Sequence, residues 1–473
     1  MTKKAVIQRK LVKSRGNSSE GFCYVKSLVI KGIRSFRGPT QTLSFVDESN
    51  RHHQWTLILG NNGTGKSTIL QLLSRVVLST RATGGPSLEI RRIQDDQFSD
   101  YGIVRSKKNW TRLIRGTPRF DTSSNDGDAS FEAVTLGSEG TDDFTLRIIY
   151  SFLTPFRSKK IDQPNPGVWC VFGYGAWRSL GESTLRPTEL RGYQCPHLFS
   201  DKADLINAEE WLLRLDYGAE HHSKFAEKNR QRFEQVKETL LGLLPDEEVE
   251  EIRIGEPIGP DRPPRLLFKT PYGEVELRQL GYGYQSLIAW VVDFAARMYE
   301  TYPDSPNPLA EPAVCLVDEI DLHLHPKWQR DLMDFLSKRF PKTQFIATAH
   351  SPLIVQAAEE IGANVVVLRR EGDHVVIDND PISVKGWRVD QILSSELFDD
   401  TPLRAGDTQE WMNRRTALLK KAKLTAKEKA ELQTLNTKAE DLPVGSTASE
   451  VSLNDRLKNA VELLEKAAKG QKK

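Results

Sequence analysis

The sequence predicts an α/β fold built around a parallel sheet, and three apolar runs support this prediction. The first run, Trp55–Leu59, leads into a glycine-rich loop and an amphipathic helical segment at Ile69–Val77. The second, Ala313–Val317, ends in two carboxylates, and the third, Gln344–Ala349, ends in a histidine. Unbroken apolar runs of this length are typical of strands that are buried on both faces of a parallel sheet.

The loop after the first run matches the pattern G-x-x-x-x-G-K-[ST] between a strand and a helix. A glycine-rich turn of no special purpose could match part of this pattern, but the full pattern in this context predicts a phosphate-binding loop, because its N–H groups point at an anion. We expect Lys66 to reach the β and γ phosphates and Ser67 to ligate Mg²⁺. The predicted nucleotide-binding residues of this loop are Gly60, Asn61, Asn62, Gly63, Thr64, Gly65, Lys66, Ser67 and Thr68.

Two carboxylates and a histidine follow the other two runs. Ligands bind at the carboxyl ends of parallel strands, so we expect Asp318 to hold Mg²⁺, directly or through water. Glu319 is expected to position and deprotonate an attacking water, and His350 to contact the γ-phosphate and that water. Alone, an apolar strand followed by Asp-Glu is as often an ordinary strand end. Together with a phosphate loop, it indicates a site for nucleotide hydrolysis.

A second glycine-rich segment, Leu280–Ser286, precedes an apolar helix at Leu287–Ala296. Gly281 and Gly283 lie at the start of this helix, where free N–H groups and the helix dipole favour an anion. The sequence therefore predicts a second anion-binding helix terminus.

The other elements are predicted from alternation, turn residues and capping patterns. Helices are expected from Ala208, after an Asn207–Glu210 capping box, and over Ser223–Leu244, as an insertion into the α/β domain. Beyond Thr401 the pattern is helical only, which favours a helical hairpin with a Thr425–Glu428 capping box and a last helix from Ser452. Strands are expected at Tyr24–Ile30, Leu43–Phe45, Phe144–Tyr150, Val168–Gly175, Val249–Ile254, Arg265–Lys269 and Glu274–Leu280.

These elements suggest five regions. They are a basic N-terminal arm at 1–23, a lobe with the phosphate loop at 24–200, a helical insertion with strands at 201–280, a second lobe at 281–385 and a helical C-terminal extension at 386–473.

Composition narrows the class of protein. The net charge is 66 − 64 = +2, which does not imply nucleic-acid or membrane binding by the whole chain. The basic residues before Glu20 favour a solvated arm over a nucleic-acid-binding arm. There is no signal-like apolar region and no apolar run long enough for a bilayer. The four cysteines are scattered, which favours a reduced cytoplasm and indicates neither disulfides nor a zinc site.

The order of these motifs resembles that of the ATP-binding-cassette (ABC) ATPase superfamily over residues 24–370. The resemblance implies an ABC-type head with antiparallel N-terminal strands, ATP and Mg²⁺ as ligands, and Leu280–Ser286 as the signature loop. In that superfamily the signature helix of one protomer covers the γ-phosphate bound by another, so a homodimer or larger assembly is expected. One departure is Gly281, where the family usually has serine. Backbone amides would then act alone, or Ser286 would share the role.

Two further segments indicate the branch. Val29–Gly38 resembles the opening strand of chromosome-maintenance and recombination ATPases, and Asp318–Pro326 resembles overcoming-lysogenisation-defect ATPases. About 100 residues separate Tyr174 from the signature loop, too few for long coiled-coil arms. After Thr401 the chain lacks the strands and acidic cluster of a Toprim nuclease, and Asp399–Asp400 is expected to be a surface turn. The chain is similar in build to ATPase subunits of Septu-type and retron-associated anti-phage systems, which work with a separate HNH or Toprim nuclease.

The leading hypothesis is therefore a cytoplasmic ATPase, fast or slow, that assembles through ATP and controls a separate effector nuclease. One alternative is a RecF-like repair or recombination ATPase that binds DNA through its basic arm. A less favoured one is the nucleotide-binding subunit of a transporter. Gln94 and Gln97 are both candidates for the glutamine that the superfamily places near the nucleotide.

Overall fold

The structure is a computed structural model. It describes residues 22–74, 76–80, 86–90, 128–138, 141–153, 170–181, 195–200, 203, 205–220, 225–244, 249–256, 264–404, 406–421, 423–440 and 442. Gln94, Gln97, the basic arm and the helix expected from Ser452 lie outside the described residues.

The described residues contain strands and helices in an alternating order typical of α/β domains. The strands are β1 (Phe22–Lys31), β2 (Gln41–Ser44), β3 (Trp55–Gly60), β4 (Val76–Thr80), β5 (Pro86–Ile90), β6 (Asp128–Ser138), β7 (Thr141–Leu153), β8 (Val171–Tyr174), β9 (Glu251–Ile254), β10 (Leu266–Thr270), β11 (Gly273–Glu276), β12 (Ala313–Val317), β13 (Thr343–Thr348), β14 (Asn364–Glu371) and β15 (His374–Asp378).

The α-helices are α1 (Lys66–Leu73), α2 (Ala208–Glu220), α3 (Ala226–Leu243), α4 (Tyr282–Thr301), α5 (Pro326–Arg339), α6 (Pro352–Glu360), α7 (Val389–Leu393), α8 (Gly406–Leu419) and α9 (Ala426–Glu440). Short 3₁₀ turns lie at Pro196–Leu198, Leu277–Gln279, Pro308–Ala310 and Glu396–Phe398.

The central sheet confirms the predicted α/β fold. Its strand order is β15-β14-β3-β13-β12-β8, and all neighbours are parallel except the β14–β15 edge pair. Side chains alternate between two buried cores on its two faces: Trp55, Leu57 and Leu59 of β3 enter one core, and Ile58 enters the other. The three apolar runs of the sequence are therefore adjacent strands of one sheet.

Antiparallel strands at the N-terminal side also agree with expectation. β1 pairs with β2 and with β7 in a four-stranded sheet of order β2-β1-β7-β6. Gln344 of β13 joins this sheet to the central one, because its side chain accepts from Val25 N at 2.9 Å and donates to Val25 O at 2.9 Å. Two helices, α2 and α3, and the small antiparallel sheet β11-β10-β9 form the predicted insertion.

A buried ion pair connects three parts of this fold. Asp293 of α4 is fully buried and pairs with Arg297, whose Nε lies 2.5 Å from Asp293 Oδ2. The Tyr174 hydroxyl at the end of β8 donates to Oδ2 at 2.9 Å, and the N–H of Ile206, just before α2, donates to Oδ1 at 3.0 Å. Asp293 therefore fixes α4 to the central sheet and to the start of the insertion.

Several element boundaries differ from the sequence prediction. The helix after the phosphate loop ends at Leu73, and the β-branched residues Val76 and Val77 begin strand β4, as their preference for strands explains. The helix after the signature glycines begins at Tyr282, earlier than predicted.

The strand expected over Glu274–Leu280 ends at Glu276. Glu276 and Gln279 form a reciprocal capping box around a 3₁₀ turn, which includes a bond from Glu276 N to Gln279 Oε1 at 2.8 Å. This turn redirects the chain immediately before the signature loop.

The chain divides into two compact units. The first comprises residues up to Ile392 together with Glu396–Phe398, and the second comprises Leu393–Ser395 and residues from Asp399. In the second unit α8 and α9 form the predicted helical hairpin, held by a two-point pair between Arg414 and Glu431 at 2.8 and 2.9 Å. The Thr425–Glu428 capping box is present at the start of α9.

Candidate functional site

The predicted catalytic elements meet at one edge of the central sheet. In register, Thr348 of β13 lies beside Ile58 of β3, and Ala347 of β13 lies beside Val317 of β12. The carboxyl ends of β3, β12 and β13 are therefore adjacent. This brings the phosphate loop, Asp318–Glu319 and His350 together, as the sequence predicts.

Three glycines shape the phosphate loop. Gly60, Gly63 and Gly65 have φ of 144°, 79° and 98°, a region that residues with a Cβ rarely adopt. A Cβ on Gly65 would lie 2.6 Å from Ser35 Oγ, whereas Gly63 faces open space. The loop is therefore closely packed on one side and open on the other. Glycine backbone in these conformations beside an open side lets an anion approach the loop amides closely, so these residues fit a nucleotide phosphate.

Lys66 lies across this loop. Its Nζ donates to Gly60 O at 2.6 Å and to Asn61 O at 3.0 Å. Burial lowers the pKa of Lys66, and the neighbouring Asp318 and Glu319 act in the opposite direction. The ammonium group is thus desolvated, and its hydrogen bonds to the described residues go to neutral carbonyls. Anionic phosphate oxygens would be stronger acceptors, so their replacement of these carbonyls is favoured.

The Gly32–Gly38 segment covers the packed side of the phosphate loop. Ser35 Oγ donates to Thr64 O at 3.1 Å, and Arg34 Nη1 donates to Thr68 Oγ1 at 2.9 Å. The side chain of Thr68 is buried in this contact. Among the predicted loop residues, Ser67 is exposed at the start of α1. The backbone N–H of Thr68 also belongs to the first turn of this helix, where amides have no partner within the helix.

Asp318 and Glu319 are positioned by their neighbours on both sides. Thr348 Oγ1 donates to Asp318 Oδ1 at 2.6 Å and accepts from Glu319 N at 2.7 Å, and Asp318 N donates to Tyr174 O at 2.8 Å. Glu319 has a left-handed backbone, with φ of 48°. This turn directs successive side chains apart, so the two carboxylates can take different roles.

Arg178, which lies four residues after the end of β8, supports the same turn. The sequence analysis did not identify this residue. Its guanidinium is buried and donates to Asp318 O at 2.5 Å, to Glu319 O at 2.9 Å and to Gly175 O at 3.0 Å. Its role depends on β8 lying beside β12, a pairing that no local sequence signal gives.

His350 lies at the end of β13 on the exposed side of the site. Its backbone N–H donates to Asp321 Oδ2 at 3.0 Å. Burial and then Lys66 lower the pKa of the imidazole, while Asp321 and Glu319 act to raise it. The ring is therefore neutral over a wider pH range than that of a free histidine, and a neutral ring can accept a hydrogen bond from water.

The signature loop rests on the segment that follows the carboxylates. Gly283 packs so closely on His323 that a Cβ would lie 2.2 Å from His323 O, and the Tyr282 ring meets the His323 ring edge-on at 4.8 Å. Gly281 and Tyr282 are exposed, and Gly283 is partly exposed. This face of the helix terminus is accessible to another molecule.

Ser286 does not share this exposure. Its side chain is 3% exposed and lies inside the first unit. The alternative in which Ser286 shares the role of the missing signature serine is therefore not supported, because Ser286 is one turn further along α4 and its side chain faces the core. Among the described residues, the accessible groups at this terminus are the backbone near Gly281 and Gly283 and the exposed Tyr282 side chain.

The side chains at this edge of the sheet can hold Mg²⁺ only if phosphate oxygens complete its coordination shell. Among the described residues, no group of three or more His, Cys, Asp or Glu side chains is arranged to hold a metal. Mg²⁺ commonly takes one or two protein oxygens and completes its shell with phosphate and water. Ser67 and Asp318 are the oxygens that the phosphate loop and the carboxylate strand would supply.

Two family models match this chain. One, described as "AAA domain, putative AbiEii toxin, Type IV TA system", matches residues 197–356. The other, described as "AAA domain", matches residues 27–143. The phosphate loop lies in the second match, and the signature loop, the carboxylates and His350 lie in the first.

Similarities to individual proteins give more specific information about this chain than the two family models do. The chain is 26% identical to the Septu protein PtuA of Bacillus mycoides over 439 residues, which are 90% of this chain and 52% of that protein. It is 45% identical to the Retron Vc95 probable ATPase of Vibrio cholerae over 82 residues, which are 17% of this chain and 16% of that protein. The chain resembles the Septu and retron ATPases. It spans about half the length of the PtuA relative and a smaller share of the retron relative.

Solved structures similar to this Septu- and retron-like chain include two SMC head domains. The head domain from Thermotoga maritima aligns with 76% of this chain and 99% of its own length, at 16% identity and a TM-score of 0.33. A head domain with an extended coiled coil, bound to the C-terminal domain of ScpA derived from Pyrococcus furiosus, aligns with 75% and 96%, at 15% identity and 0.35. In the part of the chain that the structure describes, no helix is long and apolar enough to cross a membrane.

Proposed function

We propose that this chain binds ATP with Mg²⁺ and hydrolyses it to ADP and phosphate. The observation that carries this proposal is the meeting of Lys66, Asp318, Glu319 and His350 at one sheet edge, beside a loop shaped to hold phosphates. The neighbouring charges that act on the pKa values of Lys66 and His350 include Asp318 and Glu319, so the four groups are electrostatically coupled.

Each residue has a distinct role in this reaction. Lys66 exchanges its two carbonyl acceptors for β and γ phosphate oxygens and holds them. Ser67 and Asp318 would hold Mg²⁺, which when bound supplies positive charge that offsets the charge of the transferring phosphate. Glu319 accepts the proton of the attacking water, and His350 orients that water or the γ-phosphate through its neutral ring.

We further propose that the chain assembles as at least a homodimer. Gly281 and Tyr282 at the start of α4 are exposed, and a helix terminus of this kind favours an anion. A second copy that brings its own phosphate loop to this terminus would complete the enclosure of the γ-phosphate. The exposure of Gly281 supports this assembly.

The biological role that we propose is control of a separate effector nuclease, of HNH or Toprim type, in anti-phage defence in the cytoplasm. The similarity to Septu PtuA and retron ATPases supports this role. The alternative of a RecF-like repair ATPase would require the purified chain to bind duplex DNA with a steep dependence on salt.

Phosphate release by the purified chain tests the enzymatic proposal. We expect Mg²⁺-dependent turnover that disappears in Lys66→Ala, because the phosphates lose their cation. Glu319→Gln should instead bind ATP and accumulate a larger, ATP-bound species in light scattering. Lys338→Ala is the matched control, since Lys338 is an exposed lysine paired with Asp334 on α5. Unchanged turnover in both Lys66→Ala and Glu319→Gln would contradict the assigned roles.

Effector control is tested separately. The chain is purified with the nuclease encoded beside it, and DNA cleavage is measured with ATP, with ADP and without nucleotide. We expect cleavage to differ between ATP and ADP, and Lys66→Ala to abolish the difference. If DNA cleavage is the same with ATP, with ADP and in Lys66→Ala, the proposed control of the nuclease is contradicted. The ATPase proposal is not affected by that result.

A further inference from the structure

Arg178 forms no ion pair with a carboxylate among the described residues, although three carboxylates act on it electrostatically. Its guanidinium N–H groups donate to the carbonyls of Gly175, Asp318 and Glu319. Asp318, Asp321 and Glu319 all act on it electrostatically, as does the Tyr282 phenol of the signature loop. Arg178 is therefore a fixed cation at the centre of the catalytic edge.

The charge on Arg178 persists despite burial. Desolvation lowers the pKa of the guanidinium to about 10, against the opposing effect of Asp318 and Asp321. The group therefore remains protonated at neutral pH. Buried charge of this kind is costly unless it is well paired, and Arg178 Nε has no hydrogen-bond partner among the described residues.

The bonds of Arg178 act on a strained turn. Glu319 has φ of 48°, which is strained for a residue with a Cβ and persists only when neighbours fix it. Arg178 holds the carbonyl of Asp318 and the carbonyl of Glu319, and Thr348 holds the Glu319 N–H between them. Because these three backbone groups around the Glu319 Cα are engaged, the direction of its Cα–Cβ bond is fixed.

We propose that Arg178 is a positioning residue for hydrolysis, which aims the Glu319 carboxylate at the attacking water by clamping the Asp318 and Glu319 carbonyls. It acts through Glu319 and does not touch the nucleotide. This inference rests on the ATPase function proposed above.

The fork geometry distinguishes arginine from lysine at this site. Nη1 and Nη2 donate to two consecutive carbonyls at once, whereas a lysine ammonium is a single point of charge. Arg178→Lys keeps a positive charge but loses the two-point clamp. Arg178→Met removes the charge and the clamp and keeps an apolar chain of similar length.

The test measures kcat, KM and the Kd for a fluorescent ATP analogue in Arg178→Lys, Arg178→Met, Glu319→Gln and the Arg178→Met/Glu319→Gln double variant. We expect kcat to fall roughly 100-fold in Arg178→Met and at least about tenfold in Arg178→Lys, as for small misplacements of catalytic groups. KM and Kd should change less than about threefold. The double variant should be no slower than Glu319→Gln, because Arg178 acts through Glu319.

Arg339→Lys is the matched control, since Arg339 is a largely buried arginine at the end of α5 that donates to Gln235 O away from the catalytic edge. It should leave kcat unchanged. If Arg178→Met does not fold, Arg178→Lys supplies the same comparison. An unchanged kcat in a folded Arg178 variant would overturn this inference. So would a kcat in the double variant that is reduced by the product of the two single-variant effects. Neither outcome would affect the proposed ATPase function. Absence of turnover in the wild-type chain would overturn the proposed ATPase function and this inference with it.

Discussion

Thr348 Oγ1 donates a hydrogen bond to Asp318 Oδ1 over 2.6 Å and thereby joins β13 to the end of β12. The same oxygen accepts from the N–H of Glu319 at 2.7 Å. One hydroxyl therefore sets the orientation of the expected magnesium ligand and the backbone of the expected base. The hydroxyl is buried, so water cannot replace it easily.

Thr348→Val should lower the hydrolysis rate with little change in shape. The substitution leaves Asp318 Oδ1 and Glu319 N without their partner, which costs about 1–3 kcal/mol of stability. We expect kcat to fall 10- to 100-fold, measured by phosphate release at saturating ATP. Thr348→Ser keeps the hydroxyl and should retain most of the activity. Equal losses in the two variants would show that the methyl packing, and not the hydroxyl, matters.

Gly283→Ala should displace the signature loop, whereas Gly281→Ala should not. A Cβ on Gly283 would lie 2.2 Å from His323 O, while on Gly281 its nearest neighbour would be Tyr284 Cδ2 at 3.5 Å, an ordinary contact. We expect Gly283→Ala to lose about 1–3 kcal/mol of unfolding free energy through overpacking, measured by urea titration. Gly281→Ala should unfold like the wild type, and a comparable loss there would contradict this account of the loop.

The pH dependence of kcat/KM should reflect the lowered pKa of His350. Because the folded-state pKa lies below the ordinary value of about 6.5, the imidazole stays neutral as the pH falls through that value. The plot of kcat/KM, which reports the free enzyme, should therefore stay level at pH 6.5 and fall only at more acidic pH. His350→Gln should be slower and lack this decline, whereas a decline centred above pH 6.5 in the wild type would contradict the assignment.

Asp293→Asn should destabilise the first unit strongly. Removing one charge of a buried pair leaves Arg297 uncompensated, which costs about 3–5 kcal/mol. Burial acts to lower the pKa of Arg297, but Asp293 outweighs it and the net pKa is raised, which agrees with a strong pair. Tyr174→Phe removes one hydrogen bond only and should cost about 1 kcal/mol. Thermal unfolding of both variants gives the comparison, and a smaller loss for Asp293→Asn would contradict the importance of the pair.

The residues that sequence alone could identify are those set by short-range patterns. Lys66 and Asp318 each follow an apolar run that forms a strand, so their place at the sheet edge follows from the fold class. The two signature glycines look alike in the sequence. Only the coordinates show that Gly283 rests on a carbonyl and that Gly281 is free of such contact.

Arg178 and Ser286 show why the rest could not be predicted. Arg178 supports the carboxylates because β8 lies beside β12, although 140 residues separate Arg178 from Asp318. Ser286 is a candidate to share the anion-binding role of the signature loop, but the helix begins at Tyr282 and the side chain of Ser286 is buried. Long-range pairing and the starting point of a helix decide these two cases, and neither is encoded in a local motif.

The short segment from Glu319 to His323 begins and ends with a left-handed residue, at φ of 48° and 64°. One end carries the carboxylate expected to act on water, and the other supplies the carbonyl beneath Gly283. Because the backbone is constrained at both ends, the five residues form a short and stiff connection between Glu319 and the contact with Gly283. In the proposed dimer, a movement of Glu319 would therefore shift the surface on which Gly283 of the same subunit rests, and hydrolysis at one site would change the contact with the neighbouring subunit.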